Sequence, residues 1–388
     1  MSVDWSRPVA AWFGCEHAVP VGTGTAALYL VLRAAGVRGA AVVVPALTCP
    51  TVALAVLAAG ATPLAVDVGP DDACLAPAAV AAALDHHPGR VAAIVGVDAF
   101  GLPADWPALH ALADAAGCLL VEDACQSYGG RLGGRALGSF GDASVISFGY
   151  GKNVWLNGGG VVLTHDAALA ADVRRLLRRS DVPALSDVRS RLYLRLVLRD
   201  RYRALRLASA AGLLDCAFPQ RLAAAAGPAW ERFVAALPAT LEERRATLDA
   251  LTGLEGVRPL RPADEAKAGD EWLPWRPSFA VAGGGDERRA LVAALAAAGL
   301  PTSTLYDTLE AYLPEVVTHG DCTAARTLAA TIVNLKLPAS PGHEHARAGG
   351  PGAADSGGVD ARSTAAQVRD ALTAAGAVVA VGGGDRTA

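Results

Sequence analysis

The chain has 388 residues, 52% hydrophobic and 19% charged, with a formal net charge of −4. That length suits two domains, or one large domain with a smaller appendage, and the slight acidity gives no reason to expect nucleic acid or an anionic membrane as the main partner. Gly, Pro or Arg breaks every apolar run well short of the roughly 20 residues a membrane helix needs. Residues 1–14, MSVDWSRPVAAWFG, lack a basic stretch followed by a long apolar one, so no secretion signal is expected and a cytoplasmic location is. The seven cysteines (Cys15, Cys49, Cys74, Cys118, Cys125, Cys216 and Cys322) are scattered without a CxxC. This argues against a disulfide framework or a metal site and predicts free, mostly buried thiols.

From about residue 20 to 165, strand-length apolar runs alternate with helix-length segments. The predicted strands are 40–46, 62–68, 90–97, 117–123, 143–149 and 159–164. The predicted helices are 25–36, 50–60, 77–87 and 103–117. Pro50 suits a first helical turn, with Thr48 near the cap. Strands apolar on both faces and alternating with helices imply an α/β fold with a largely parallel sheet covered on both sides. Ligand sites in such sheets lie at the carboxyl ends of the strands.

After residue 166 the character changes. DAALAADVRRLLRRSD reads as a helix with a basic end. In the segment 189–214, Arg191, Arg195, Arg199 and Arg203 recur every four residues and so share a helix face, with Leu192 and Leu196 beside it. Such a helix either carries a solvated stripe or contacts a membrane surface or an acidic partner; without an aromatic belt the solvated stripe is favoured. Helices over 237–253 and 286–301, a strand in WLPWRPSFAVAG and a final helix then build a second α/β unit. The stretch 342–358 reads as a loop. This places a large domain at 1–234 and a smaller one at 235–388.

The chain holds only three lysines, Lys152, Lys267 and Lys336. Arginine stays charged, whereas lysine can lose its proton and act as a nucleophile. Lys152 therefore stands out in SFGYGKNVWLNGGG, a glycine-rich turn straight after a predicted strand. Placed on the predicted sheet, Asp123 and Gln126 follow one strand, Ser147 and Lys152 follow another, and Thr23, Gly24 and Thr25 open a helix. All three sets converge on one sheet edge.

TGTAAL (23–28), PALTC (45–49), GATPLAVDV (60–68), EDACQ (122–126) and GSFGDASVISFGYGKNVWLNGGG (138–160) stand in the order and spacing of one family's motifs. Over about residues 20–165 the chain resembles the DegT/StrS-type aminotransferases, enzymes of fold type I that use pyridoxal 5'-phosphate and act on sugars. The resemblance implies that Lys152 forms the Schiff base with the cofactor and moves the proton. It implies that Asp123 pairs with the pyridine nitrogen and Gln126 sits by the phenolic oxygen. Gly24, Thr25 and Ser147 then take the phosphate, with Cys49 where the family stacks an aromatic on the ring. It further implies an amino donor such as glutamate, a keto sugar, nucleotide-linked sugar or cyclitol as acceptor, and a homodimer with the site at its interface. A lysine at 152, where sugar-dehydrating members carry histidine, favours amination over dehydration.

The chain departs from the family at Cys49, at Asn157 in place of a glutamate, in a missing asparagine segment near 189–214, and across most of the small domain. Two alternatives stay open: another reaction of the same cofactor, elimination or condensation, on an amino-acid-like substrate, and a non-catalytic regulatory or binding protein of the same fold.

Overall fold

The computed structural model describes residues 4–149, 151–156, 158–178, 220–263, 271–312, 316–337 and 365–374. The arginine-striped segment 189–214, the stretch 342–358, Asn157, Lys267 and Cys216 lie outside them.

The apolar runs become the strands of one eight-stranded sheet. Its members are β1 His17–Val21, β2 Ala41–Pro45, β3 Thr62–Val66, β4 Val91–Val97, β5 Leu119–Asp123, β8 Ala143–Ser147, β9 Gly160–Thr164 and β13 Val317–Thr318, in the order β1-β9-β8-β5-β4-β2-β3-β13. From β8 to β13 neighbouring strands are parallel, whereas β9 runs antiparallel to both β8 and β1. A short hairpin, β6 Arg131–Leu132 and β7 Arg135–Ala136, precedes β8. The helices α1 Ser6–Phe13, α2 Gly24–Ala34, α3 Pro50–Ala59, α4 Pro77–His86, α5 Trp106–Ala116 and α6 Ala167–Arg178 accompany this sheet. All five residues of β8 and of β9 are buried, as strands covered on both faces require.

The register fixes the edge on which the site is built. Asp123 pairs with Val145, two residues before Ser147; Ser147 pairs with Gly160, and Gly160 pairs with Val21. The ends of β5, β8 and β1 and the start of β9 therefore stand side by side, which brings 22–25, 123–126 and 147–160 together.

Several elements fall outside the sequence reading, among them α1, β1 and the β6–β7 hairpin, and one expected helix has other bounds. β1 contains Pro20, which lowers strand propensity; it is tolerated because β1 is an edge strand. The helix expected to start near Pro238 is the end of α7 Gln220–Ala250, which runs through Pro228 and Pro238. Trp230 and Phe233 of α7 pack with Trp5, Val9, Phe13, Tyr128 and Phe148 in a second core, and this burial outweighs the lost helical hydrogen bonds.

The later segment forms a four-stranded antiparallel sheet in the order β10-β11-β14-β12, from Val257–Pro259, Ser278–Val281, Ile332–Leu335 and Thr302–Ser303. With it go α8 Gly285–Ala297, α9 Leu309–Tyr312, α10 Thr323–Thr331 and a last helix over 365–374. Residues 234 and 235, the expected domain boundary, lie inside α7, and β13 from this later segment adds to the large sheet beside β3. Of WLPWRPSFAVAG, 278–281 forms a strand, while 272–277 runs against the segment of the large sheet, where Trp275 bonds Phe100. Six cysteines are free in the described residues; five are buried and Cys49 is half-buried. Among the described residues, no helix is long and apolar enough to cross a membrane, and no cluster of His, Cys, Asp and Glu is arranged to hold a metal.

Candidate active site

The first component is the start of α2. Thr23 has extended backbone and its hydroxyl accepts the N–H of Ala26 at 2.9 Å. A helix's first turn has no internal acceptors for its N–H groups, so the start of α2 offers donors at the positive end of the helix dipole. Gly24 is wedged against β8: a Cβ there would lie 2.7 Å from the Ser147 Cβ and 3.0 Å from the Cys125 sulfur. The glycine-rich turn closes on the same point. Gly159 donates its N–H to Gly22 at 2.7 Å, and a Cβ on Gly160 would lie 2.7 Å from the Thr23 carbonyl carbon. Gly160 is thus needed for backbone to meet backbone, and Gly159 for its φ of +92°.

The second component is the end of β5. Asp123 is buried, and its carboxylate accepts the Cys125 N–H at 3.0 Å. Gln126 is held at both ends of its amide: Oε1 accepts the Phe100 N–H at 2.8 Å, and Nε2 donates to the Tyr306 hydroxyl at 3.2 Å. Burial first, then the nearby Asp123 charge, pushes the Cys125 thiol well above its ordinary range, so it acts as packing; Lys152 opposes that shift, which puts its charge in the same neighbourhood.

Behind Asp123, Glu122 organises the loop that leads into β8. It accepts N–H groups from Gly138 at 2.5 Å, Phe140 at 2.6 Å and Gly141 at 3.4 Å, and the Ser144 hydroxyl at 2.8 Å. Asp98 accepts the Ala104 N–H, the Trp106 indole N–H and, at 2.6 Å, the Ser127 hydroxyl. Burial and then the Glu122 charge push Asp98 well above the usual carboxylate range.

The third component is the Lys152 loop, which the second core supports from below. Tyr128 donates its hydroxyl to the Ser147 carbonyl at 2.9 Å and accepts the Val154 N–H at 2.8 Å. Asn153 donates to the Tyr128 carbonyl at 2.9 Å and accepts from buried Arg244 at 3.1 Å, and Arg244 also reaches the Pro274 carbonyl. Burial lowers the Arg244 pKa to about 10, still well above neutral, so the guanidinium stays charged. The half-buried Lys152 places its Nζ 5.0 Å from the centre of the Trp275 ring.

The last component comes from the later segment. The 273–275 backbone lies flush on Gly101, where a Cβ would meet the Leu273 oxygen at 2.1 Å; φ of +89° there also calls for glycine. Trp275 donates its backbone N–H to Phe100 and its indole N–H to Gly151, both at 2.7 Å. Tyr306 stacks on Phe100 with ring centres 6.1 Å apart. Burial first, then Cys49, raises the Tyr306 pKa, with Asp123 adding to the rise and Arg276 opposing it. Cys49 is the residue before α3; its sulfur lies 3.1 Å from the Thr51 hydroxyl, and Thr48 does not cap the helix.

A donor set of helix N–H groups and Ser147, a buried carboxylate, a fixed amide and a primary amine on one sheet edge suits a phosphorylated aromatic aldehyde. Residues 3–348 match the family model described as DegT/DnrJ/EryC1/StrS aminotransferase family. The chain belongs to that family. Over 173 residues it is 39% identical to an L-glutamine:2-deoxy-scyllo-inosose aminotransferase of Streptomyces paromomycinus, covering 44% of this chain and 40% of that protein. Over 170 residues it is 41% identical to a UDP-N-acetyl-3-dehydro-alpha-D-glucosamine 3-aminotransferase of Acidithiobacillus ferrooxidans, covering 43% and 45%. The chain thus spans about two-fifths of the length of these curated relatives. Among solved structures it is similar to S. venezuelae DesV in complex with a ketimine intermediate, with TM-score 0.70 and 27% identity over 95% of this chain and 87% of that one. The α/β architecture with a mostly parallel sheet is accordingly that of the fold type I aminotransferases.

Within this DegT/DnrJ/EryC1/StrS frame, Gly24, Thr25, Asp123, Gln126, Ser147 and Lys152 stand on the one edge where their positions along the strands put them, and Cys49 opens the neighbouring helix. Tyr306, Trp275, Arg276, Asn153 and Arg244 were not singled out from the sequence. The arginine inside the otherwise largely apolar WLPWRPSFAV was the available signal, because a guanidinium is almost never fully buried unless it is paired.

Proposed function

We propose that the chain is a pyridoxal-phosphate-dependent aminotransferase that moves an amino group from an amino acid, glutamate or its amide, to a keto sugar, nucleotide-linked sugar or cyclitol. The observation that carries this reading is the close packing of Gly24 on Ser147, one strand away from Asp123, with Lys152 on the following turn. Pyridoxal phosphate, when bound, supplies an aldehyde that takes up an amino group and a ring that accepts the electrons of a deprotonated carbon. Gly24, Thr25 and Ser147 would hold the phosphate. Buried Asp123 would keep a ring nitrogen protonated, since a carboxylate favours the charged form of a base beside it. Gln126 offers an amide already oriented by Phe100 and Tyr306. Lys152 would hold the cofactor by its amine and, once released, carry a proton at Nζ.

The curated relatives named above act on a cyclitol and on a nucleotide-linked sugar, which supports an acceptor of that class. The fold type I architecture supports a homodimer, which the molecular mass in solution tests.

The decisive experiment compares wild type with Lys152→Ala. Wild type mixed with pyridoxal phosphate is expected to develop a visible absorption band, and borohydride is expected to fix the cofactor on the peptide containing Lys152. Addition of L-glutamate should then convert the band to that of the aminated cofactor. No lysine-dependent band would sink the assignment. A band that ignores glutamate and glutamine but answers another amino acid would redirect it to elimination or condensation.

A further inference from the structure

Lys152 stands in a turn whose residues on either side are held from outside. On one side the Trp275 indole donates to the Gly151 carbonyl at 2.7 Å. On the other, Asn153 is 2% exposed; its amide oxygen accepts from Arg244 at 3.1 Å and its amide nitrogen donates to the Tyr128 carbonyl at 2.9 Å. The same Arg244 nitrogen, Nη1, donates to the Pro274 carbonyl at 3.1 Å. Arg244 therefore joins the residue after Lys152 to the residue before Trp275, whose ring centre lies 5.0 Å from Lys152 Nζ.

The two ties connect the same pair of segments, one on each flank of the amine. Either tie alone leaves a pivot about which the turn can rotate, whereas the two together fix its orientation. A displacement of a reacting group by about 1 Å can cost about a hundredfold in rate, so such a constraint matters to an amine that must bond and release. Arg244 reaches this point from α7 and is buried on two neutral oxygens. Desolvation of the guanidinium offsets part of what these bonds contribute to stability, while its planar fork fixes their directions.

We propose that Arg244 is a positioning residue: through Asn153 and Pro274 it holds the Lys152 turn against the Trp275 segment and so sets how readily the amine bonds the cofactor. This rests on the function proposed above. Loss of Arg244 leaves the turn attached through Trp275 and Gly151, and leaves the start of α2 and Ser147 in contact, so the site should still take the cofactor but present the amine badly.

Wild type, Arg244→Gln, Arg244→Lys and Asn153→Ala are compared in two measurements. Calorimetric titration with pyridoxamine phosphate reads the site without a bond to Lys152. Stopped-flow absorbance with pyridoxal phosphate reads the rate at which the visible band forms. Arg244→Gln is expected to bind pyridoxamine phosphate within about twofold of wild type and to form the band about tenfold or more slowly. Arg244→Lys should recover part of the rate, since it keeps the charge without the fork. The double variant of Arg244→Gln and Asn153→Ala should be about as slow as the slower single variant, because the two residues act through one contact. An unchanged rate in Arg244→Gln, a pyridoxamine phosphate affinity that falls in step with the rate, or a double variant slowed by the product of the single effects would each overturn the proposal. Absence of the band in wild type would instead remove the functional reading beneath it. If Arg244→Gln fails to fold, Arg244→Lys decides: the full wild-type rate overturns the proposal, and a slower rate with unchanged pyridoxamine phosphate affinity supports it.

Discussion

Gly24 and Ser147 are packed so closely that a methyl group on the first would lie 2.7 Å from the Cβ of the second. That contact joins the start of α2 to the end of β8, and with them the two groups of donors proposed to hold a phosphate. The Ser147 Cβ is fixed to its strand and cannot swing aside, so an added methyl must push the helix start away. Overpacking of this kind costs about 1–3 kcal/mol. Gly24→Ala is therefore expected to weaken pyridoxal phosphate binding by roughly tenfold or more, a shift read by fluorescence titration. Unchanged affinity would show that the helix start does not hold the phosphate.

The Tyr128 hydroxyl bridges Ser147 and Val154 across the Lys152 turn. Phenylalanine would keep the ring packing with Trp230 and Phe233 but leave the buried Val154 N–H without its acceptor. An orphaned buried donor costs about 1–3 kcal/mol. Tyr128→Phe is expected to lower denaturant stability by that amount and to slow cofactor attachment to Lys152, followed by absorbance. A variant as stable as wild type would mean that the turn finds another partner.

Asp72 supplies a pH prediction away from the site. It is buried and accepts the Cys74 N–H at 2.9 Å. Burial is the main cause that raises its carboxyl from 3.8 to about 6, with Asp71 adding and the Cys74 N–H opposing. Because the folded value is the higher one, its contribution is fully present below about pH 3.8 and is lost as the pH rises through about 6. Asp72→Asn keeps an acceptor for Cys74 without the charge. It is expected to match wild type near about pH 4 and to exceed it near about pH 7.5 by on the order of 2–3 kcal/mol. Denaturant melts at the two pH values check this; an equal difference at both would remove the charge explanation.

The residues on the sheet edge were legible early because strand ends are local features. An apolar run that stops at Asp123 or Ser147 states where the chain leaves a covered sheet, and a parallel arrangement sends those ends to one side. The edge strand β1 was not legible, since Pro20 weakens a strand signal without forbidding an edge. Nor was the length of α7, because Pro228 and Pro238 read locally as interruptions while Trp230 and Phe233 hold the helix through the second core.

By itself the sequence determined the α/β alternation, the amine at Lys152 and the polar residues beside it, since periodicity and spacing along one chain encode these. The tertiary structure decided what the later segment brings to that amine and to the residues beside it. Trp275, Arg276 and Tyr306 lie more than a hundred residues from Lys152, and no local pattern says where an extended segment will land. Their arrival depends on a close backbone contact at Gly101 and a shared amide at Gln126, and such contacts exist only once both segments are folded.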